Sequence, residues 1–256
     1  MAGSQIQYNL YDLQTSNIIT ERIFHTSTPQ DNLKTEEKMR RDGGFLVCNY
    51  WIKKTINSRG HIIGSSISDL DSRIDALKEN LVGENLDLDI GYAGGTRRYR
   101  ATVKKIEINR EHFNGSWCPF SIEFVCADAF GRDTSPTSVN QNNNTISPFS
   151  KTFTMGGSIG AYPIITLDFT SGNNVTAIKI KNITTGDFIT ITRSFAYPVA
   201  SLVIDCNAMT VKVDGIDEDF TGVFPEFIVG SNEVEVTVTG SPFDINLDIT
   251  YTSLYL

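Results

Sequence analysis

Residues 68–108 read SDLDSRIDALKENLVGENLDLDIGYAGGTRRYRATVKKIEI, and this stretch combines a helical pattern with an extended one. Its first part opens with serine and aspartate, which suit the start of a helix and the positive end of its dipole. Apolar residues then recur at helical spacing, at Leu70, Ile74, Leu77 and Leu81. We therefore predict one amphipathic helix, with Gly83 placed to end it.

The second part of the stretch predicts a β-hairpin. Apolar and polar residues alternate strictly from Leu86 to Tyr92, which is typical of a half-buried strand. Ala93-Gly94-Gly95 provides a turn, and a second extended run follows from Arg97 to Ile108. A third strand is predicted around Pro119–Phe124, so the first half of the chain combines one helix with a sheet.

The apolar positions of the second hairpin strand change phase partway along it. Ala101 and Val103 share one parity, whereas Ile106 and Ile108 lie on the other. Because side chains in a strand alternate between two faces, this slip predicts a β-bulge near Lys104 and Lys105.

Composition and charge exclude several classes of protein. The chain has 256 residues and a formal net charge of −8, which argues against binding nucleic acid through its phosphates. No apolar run approaches the ~20 residues needed to cross a bilayer, and the N-terminus lacks the pattern of a secretory signal. We therefore expect synthesis in a cytoplasm and no membrane insertion. The four cysteines form no metal-binding or redox spacing, so we expect reduced thiols.

The chain divides into two predicted domains with different patterns. Residues 1–133 contain the helix and the ribbon, and we interpret them as an α+β domain. Residues 134–159 are rich in Ser, Thr, Asn, Pro and Gly, so we expect a linker or arm there. Residues 160–256 show about seven short strands separated by turn residues, which predicts an all-β sandwich or jelly roll.

Within this organisation, the chain resembles the distal tail proteins of long-tailed, non-contractile bacteriophages. In the first half, the likeness rests on the helix from Ser68 and on Leu88-Asp89-Ile90-Gly91-Tyr92 with Gly95-Thr96-Arg97-Arg98-Tyr99. A further match is Pro119–Phe124 followed by Cys126-Ala127-Asp128. In the second half, it rests on Leu202–Cys206 and on Gly222-Val223-Phe224-Pro225-Glu226-Phe227. The matching motifs occur in the family's order over most of the chain.

The resemblance implies a structural virion protein. Its first domain would be tail-tube-like, and six copies would close into a ring at the tail tip. Its second domain would be galectin-like and project outward. The ring would join the tail tube protein on one face to a tail-tip protein on the other, and it could carry side fibres or receptor-binding proteins. Genomic DNA would pass through the lumen without specific binding, and an acidic surface suits that passage.

A charged ribbon in the first domain is the candidate interface between subunits. It comprises Asp87, Asp89, Arg97, Arg98 and Arg100. We expect its arginines to pair with acidic residues of a neighbouring subunit, with the two aspartates as candidates. Two carboxylates on one strand face could serve acid–base catalysis, but a solvated strand face is the simpler interpretation. We therefore predict no catalytic residue and no enzyme activity.

No cofactor or metal site is predicted either. The three histidines, His25, His61 and His112, have no metal-ligand spacing. The long polar segment from Ser27 to Gly44 is the candidate contact with an adjacent ring, and Lys34–Arg41 within it could be a short helix or a loop.

Two other functions remain open. One is a carbohydrate-binding adhesin or receptor-binding protein, using aromatic residues of the second domain. Those residues are Phe195, Tyr197, Phe220, Phe224 and Phe227. The other is a polysaccharide-degrading enzyme, although no convincing pair of opposed carboxylates is present.

Overall fold

The computed structural model describes residues 6–31, 34–37, 44–48, 50–110, 116–172, 175–195 and 201–256. The chain forms two compact units, Met1–Thr134 together with Leu256, and Ser135–Tyr255. Each unit has its own hydrophobic core. The expected α+β first half and all-β second half are both confirmed.

The first unit contains eleven strands and one helix among the described residues. They are β1 Ile6–Tyr8, β2 Tyr11–Asp12, β3 Ile18–Phe24, β4 Gln30–Asp31, β5 Lys34–Glu37, β6 Gly44–Cys48, β7 Trp51–Ile63, α1 Ile67–Asn80, β8 Leu86–Tyr92, β9 Gly95–Ile108, β10 Trp117–Cys126 and β11 Gly131–Asp133. The main sheet has the strand order β2-β1-β8-β9-β10-β7-β3, and its neighbours are antiparallel.

Helix α1 packs its apolar stripe into the core of this unit, as its sequence predicts. Leu70, Ile74 and Leu77 are buried. The cap is Ser66 rather than the expected Ser68, because the Ser66 hydroxyl accepts a hydrogen bond from the Asp69 backbone N–H at 3.1 Å. Among the described residues, no helix is long and apolar enough to cross a membrane.

The hairpin and its bulge form where the sequence predicts them. Strands β8 and β9 pair from Leu86 to Tyr92. The register between β9 and β10 shifts where Lys105 faces Glu123 and Val103 faces Phe124, so Lys104 is the additional residue. The predicted bulge is thus confirmed.

The segment before α1 is extended, and the expectation of a helix or loop from Lys34 was wrong for the described residues. Strand β7 runs unbroken from Trp51 to Ile63 through the polar residues Asn57 and Ser58. Ser58 is buried in the sheet, so a polar side chain interrupts the pattern without interrupting the strand. Residues 34–37 form β5, which pairs with β6, so they are neither helix nor loop. The rest of Lys34–Arg41 lies outside the described residues.

The second unit consists of twelve strands among its described residues. They are β12 Thr137–Asn144, β13 Phe149–Met155, β14 Ile164–Gly172, β15 Val175–Asn182, β16 Phe188–Phe195, β17 Ser201–Asp205, β18 Thr210–Val213, β19 Ile216–Asp217, β20 Thr221–Gly222, β21 Gly230–Thr239, β22 Phe243–Tyr251 and β23 Leu254–Tyr255. One sheet has the order β12-β22-β14-β17-β18-β19 and the other β13-β21-β15-β16-β20.

These two sheets enclose one core, which makes the unit a β-sandwich. Ile165 and Leu167 from the first sheet share a buried cluster with Ile178 and Ile180 from the second. Along β22 every second residue is buried, as period-2 alternation requires of a strand with one face in the core.

The expected linker over residues 134–159 is wrong. Strand β12 pairs with β22, and β13 pairs with β21, so this segment provides one edge strand to each sheet. Its composition concealed them because an edge strand needs few core contacts. Buried positions are confined to residues such as Asn144, Phe153 and Met155, and the Asn144 amide nitrogen donates to the Ile245 carbonyl at 2.9 Å.

Candidate functional site

The charged ribbon predicted from the sequence lies on the β8–β9 hairpin. Asp87 is directly opposite Arg100, and Asp89 is directly opposite Arg98. These four side chains share the face of the hairpin that points away from the core, since the intervening residues Leu88 and Tyr99 are buried.

The four residues form a continuous set of ion pairs within one chain. Arg98 binds Asp89 through two hydrogen bonds of 2.7 Å each, from Nε to Oδ1 and from Nη2 to Oδ2. Its Nη1 also lies 3.1 Å from Asp87 Oδ2, and Arg100 Nε lies 3.1 Å from Asp87 Oδ1. Hydrogen bonding to Asp89 raises the pKa of the Arg98 guanidinium. Each carboxylate is therefore neutralised by an arginine of the same chain.

Arg97 is separated from this set. It is opposite Ile90 in the hairpin register, so it lies on the other face. Its guanidinium carbon is 4.1 Å from the centroid of the Tyr92 ring, a distance suited to a cation–π contact. Of the five residues predicted for the interface, the structure brings four together and places the fifth elsewhere.

The neighbouring basic residues are also compensated. Lys104 Nζ lies 2.8 Å from Glu123 Oε1, and Lys105 Nζ lies 2.5 Å from Glu107 Oε1. The ribbon is thus a mixed-charge surface rather than a basic patch. The Asp87 and Asp89 carboxylates are both engaged by arginines of the same hairpin, an arrangement suited to a structural ion pair.

The pairing inside the chain was missed at the sequence level, although a signal for it was present. A hairpin with a short turn fixes which residues are opposite each other. With the turn at Ala93-Gly94, this register sets Asp89 against Arg98 and Asp87 against Arg100. A pair between subunits is not needed to neutralise these charges.

The histidines provide no metal site among the described residues. His61 Nδ1 lies 3.0 Å from Glu21 Oε1, and His25 Nδ1 is 3.2 Å from the Ile23 carbonyl. Burial lowers the pKa of His25. No group of three His, Cys, Asp or Glu side chains suited to a metal ion occurs in the part of the chain that the structure describes. His112 lies outside it.

The aromatic residues considered for sugar binding separate into two groups. Phe195 and Phe227 are 1% and 0% exposed, so they belong to the sandwich core. Phe220 and Phe224 contact each other edge to face, with ring centroids 4.8 Å apart. Tyr197 lies outside the described residues. A single partly exposed pair at the edge of a sheet is the remaining support for a lectin.

These observations define a class of fold: a first unit with one helix and a large sheet, followed by a β-sandwich, with the charges of the β8–β9 hairpin paired inside the chain. Residues 156–255 match the family model described as the siphovirus-type tail component, C-terminal domain. The whole fold is similar to that of the Dit protein of phage SPP1, described as a paradigm of the hub adsorption apparatus in phages infecting Gram-positive bacteria. The TM-score is 0.70, the identity is 13%, and 99% of each chain is covered.

A chain of the activated phage P2 baseplate is also similar, with a TM-score of 0.44, 9% identity and coverage of 96% of this chain and 97% of that one. That likeness is too low to support an argument. No curated protein matches the chain in sequence. The domain match agrees with the resemblance noted for the second half of the sequence, and the full-length likeness shows that this chain and the SPP1 protein share a fold.

Proposed function

We propose that six copies of this chain close into a ring that forms the distal hub of a siphovirus tail. The tail tube would contact one face of the ring, and a tail-tip protein would contact the other. The observation that supports the proposal most strongly is the likeness in fold to a hub protein, because the superposition covers 99% of each chain. We further propose that the chain has no enzyme activity, and the internally paired carboxylates support this.

Passage of DNA through the ring is part of the same proposal. The net charge of −8 and the compensated ribbon would leave little to hold a polyanion. The outer β-sandwich would be available for side fibres or receptor-binding proteins.

The β5–β6 hairpin is a candidate contact with an adjacent ring. It forms a two-stranded sheet that is not hydrogen-bonded to the other described sheets. An isolated two-stranded hairpin is at best marginally stable, so a neighbour would stabilise it. Deleting residues 34–48 should abolish stacking on the tube while leaving the ring intact. Continued stacking would contradict this assignment.

The ribbon of Asp87, Asp89, Arg97, Arg98 and Arg100 stays a candidate subunit interface, and a charge exchange can test it. The fourfold variant Asp87→Arg/Asp89→Arg/Arg98→Asp/Arg100→Asp keeps opposite charges at every pair of this set inside the chain. If a neighbouring subunit pairs with these charges, the exchanged protein should fold normally and fail to assemble. Normal assembly would exclude the exchanged residues from the interface.

The ring itself is tested first by light scattering over a range of protein concentrations, followed by negative-stain imaging. We expect particles of six times the chain mass with a central hole. A monomer at every concentration would contradict a ring that closes without its partners.

A further inference from the structure

The core of the first unit leaves apolar side chains half-buried at two places in its main sheet, on the second half of β9 and on β3. Val103, Ile106 and Ile108 on β9 pack against the core but are only half-buried, and so is Ile23 on β3. All four belong to the core face, because their partners across the sheet, such as Ile122 and Ser58, are buried. Apolar surface is therefore left along the second half of β9 and along the edge strand β3.

The main chain is also open at the β9 edge. Strand β8 covers β9 only as far as Ala101, and no described strand pairs with this side of β9 beyond it. The Asn109 N–H donates to the Pro119 carbonyl, so backbone groups of the same parity point toward β10. Those of Ile106 and Ile108 therefore point away from the sheet, toward the open edge.

A groove adjoins this open edge. It has a volume of about 640 Å³ and lies between α1 and the end of β9. Ile74, Ile106 and Ile108 provide its apolar part, and the Asp71–Arg110 pair, 2.9 Å apart, lies on its rim. The groove is suited to a short apolar strand edge with charged flanks.

Strand β3 presents the complementary edge. In this half of the sheet the order is β9-β10-β7-β3, so β9 and β3 are its two ends. Neighbouring strands in this order run in opposite directions, so β9 and β3 are antiparallel. Strand β3 of a second copy that extended the sheet at β9 would therefore pair with it in the antiparallel sense. On this edge the Gln14 side chain already binds the Thr20 N–H at 2.9 Å, and His25 Nδ1 lies 3.2 Å from the Ile23 carbonyl. The Ile23 N–H and its apolar side chain are therefore the groups offered for a new contact.

We propose that the open edge of β9 and its groove receive the β3 edge of a second copy of this chain, with Ile23 seated against Ile106 and Ile108. This inference rests on the proposed ring and specifies how it closes. The contact is head to tail, which generates a ring when the rotation closes. The bulge at Lys104 limits the regular edge to four residues, so the contact is short and selective.

Paired cysteines on the outer faces of the two edges test this contact. Opposed Cα atoms in antiparallel strands are about 4.5 to 5.5 Å apart, which is within reach of a disulfide. The variants are Arg22→Cys/Glu107→Cys, which sets Ile23 opposite Ile106, and Arg22→Cys/Asn109→Cys, which sets Ile23 opposite Ile108, both in a Cys48→Ser background. We expect one of them to form a ladder of disulfide-linked multimers in the full-length protein. The single-cysteine variants are the controls and should form no ladder.

The outcomes separate this inference from the ring proposal. Rings without a ladder in either variant would overturn the β3–β9 contact and leave the ring proposal intact. A ladder on open filaments would support the contact and contradict ring closure. Monomers without a ladder would overturn both. As a second test, Ile106→Glu should abolish assembly without changing the fluorescence of the folded first unit. The control Ile216→Glu, on the second unit, should assemble normally.

Discussion

Lys54 lies in the core of the first unit, and its replacement by methionine should stabilise the protein. The residue is 1% exposed, and its ammonium group has no hydrogen-bond partner among the residues that the structure describes. Its Nζ lies 5.3 Å from the centroid of the Tyr99 ring. Burial lowers the pKa of Lys54, and the charge of Arg97 acts in the same direction.

The size of the effect follows from two opposed contributions. A buried charged donor without a partner costs about 1 to 3 kcal/mol or more, whereas a cation–π contact stabilises by about 0.5 to 2 kcal/mol. Methionine has a similar length and no group that needs a hydrogen bond. We therefore expect Lys54→Met to raise the free energy of unfolding by about 1 kcal/mol at neutral pH.

Tryptophan fluorescence during guanidinium denaturation measures this change. Both tryptophans, Trp51 and Trp117, are in the first unit, so their emission follows the unfolding of that unit alone. Lys53→Met is the matched control because Lys53 is the exposed neighbour on the same strand. Its effect should be close to zero. Protein concentration must be held fixed, since assembly would add apparent stability.

The pH dependence has a defined sign. The folded state holds Lys54 with a lowered pKa, so the cost of the buried charge is fully present below that pKa. It disappears as the pH rises to the ordinary pKa of lysine, where the amine is neutral in both states. The advantage of methionine should therefore vanish in strongly alkaline buffer. A less stable Lys54→Met protein at neutral pH would refute the reasoning.

Three further outcomes are expected. The double-mutant cycle of Arg98→Ala and Asp89→Ala should give a coupling of about 0.5 to 1 kcal/mol, since the pair is only partly buried, and additive effects would contradict the pair. A hydrogen bond from the Ser65 backbone lowers the pKa of Asp69 to about 2. Asp69→Asn should therefore lower the free energy of unfolding above the ordinary aspartate pKa, and this difference should disappear as the pH falls toward 2. Denaturation followed by fluorescence measures it. Asn232 is fully buried and binds the backbone of its own loop three times, so Asn232→Ala should destabilise the second unit by about 2 kcal/mol in calorimetry.

Much of this fold could be predicted because its strongest patterns are local. The helix, the hairpin and the bulge each follow from the spacing of apolar residues within one segment. The β-rich character of the second unit was predicted in the same way, since strands such as Phe243–Tyr251 alternate strictly between buried and partly exposed residues. The exact cap of α1 was not, since serines at 65, 66 and 68 are equally suitable by type and only the backbone geometry selects Ser66.

Features that depend on distant segments were not predictable. Lys54 becomes buried only when β7 lies beside β10, where it is opposite Cys126. The candidate site shows the same limit, because its residues were identified from type and proximity but their partners required the hairpin register. Strands β12 and β13 were not predicted, because their own sequences are polar and only their pairing with β22 and β21 identifies them as strands.

Those two strands change how the second unit could be isolated. The match to the tail-component domain begins at residue 156, so a fragment cut there would omit both. Such a fragment would expose the flanks of β22 and β21, two long strands that are interior in the complete unit. Newly exposed strand edges invite aggregation. A fragment beginning at Ser135 keeps both sheets complete, so it is the better choice for expressing this unit alone.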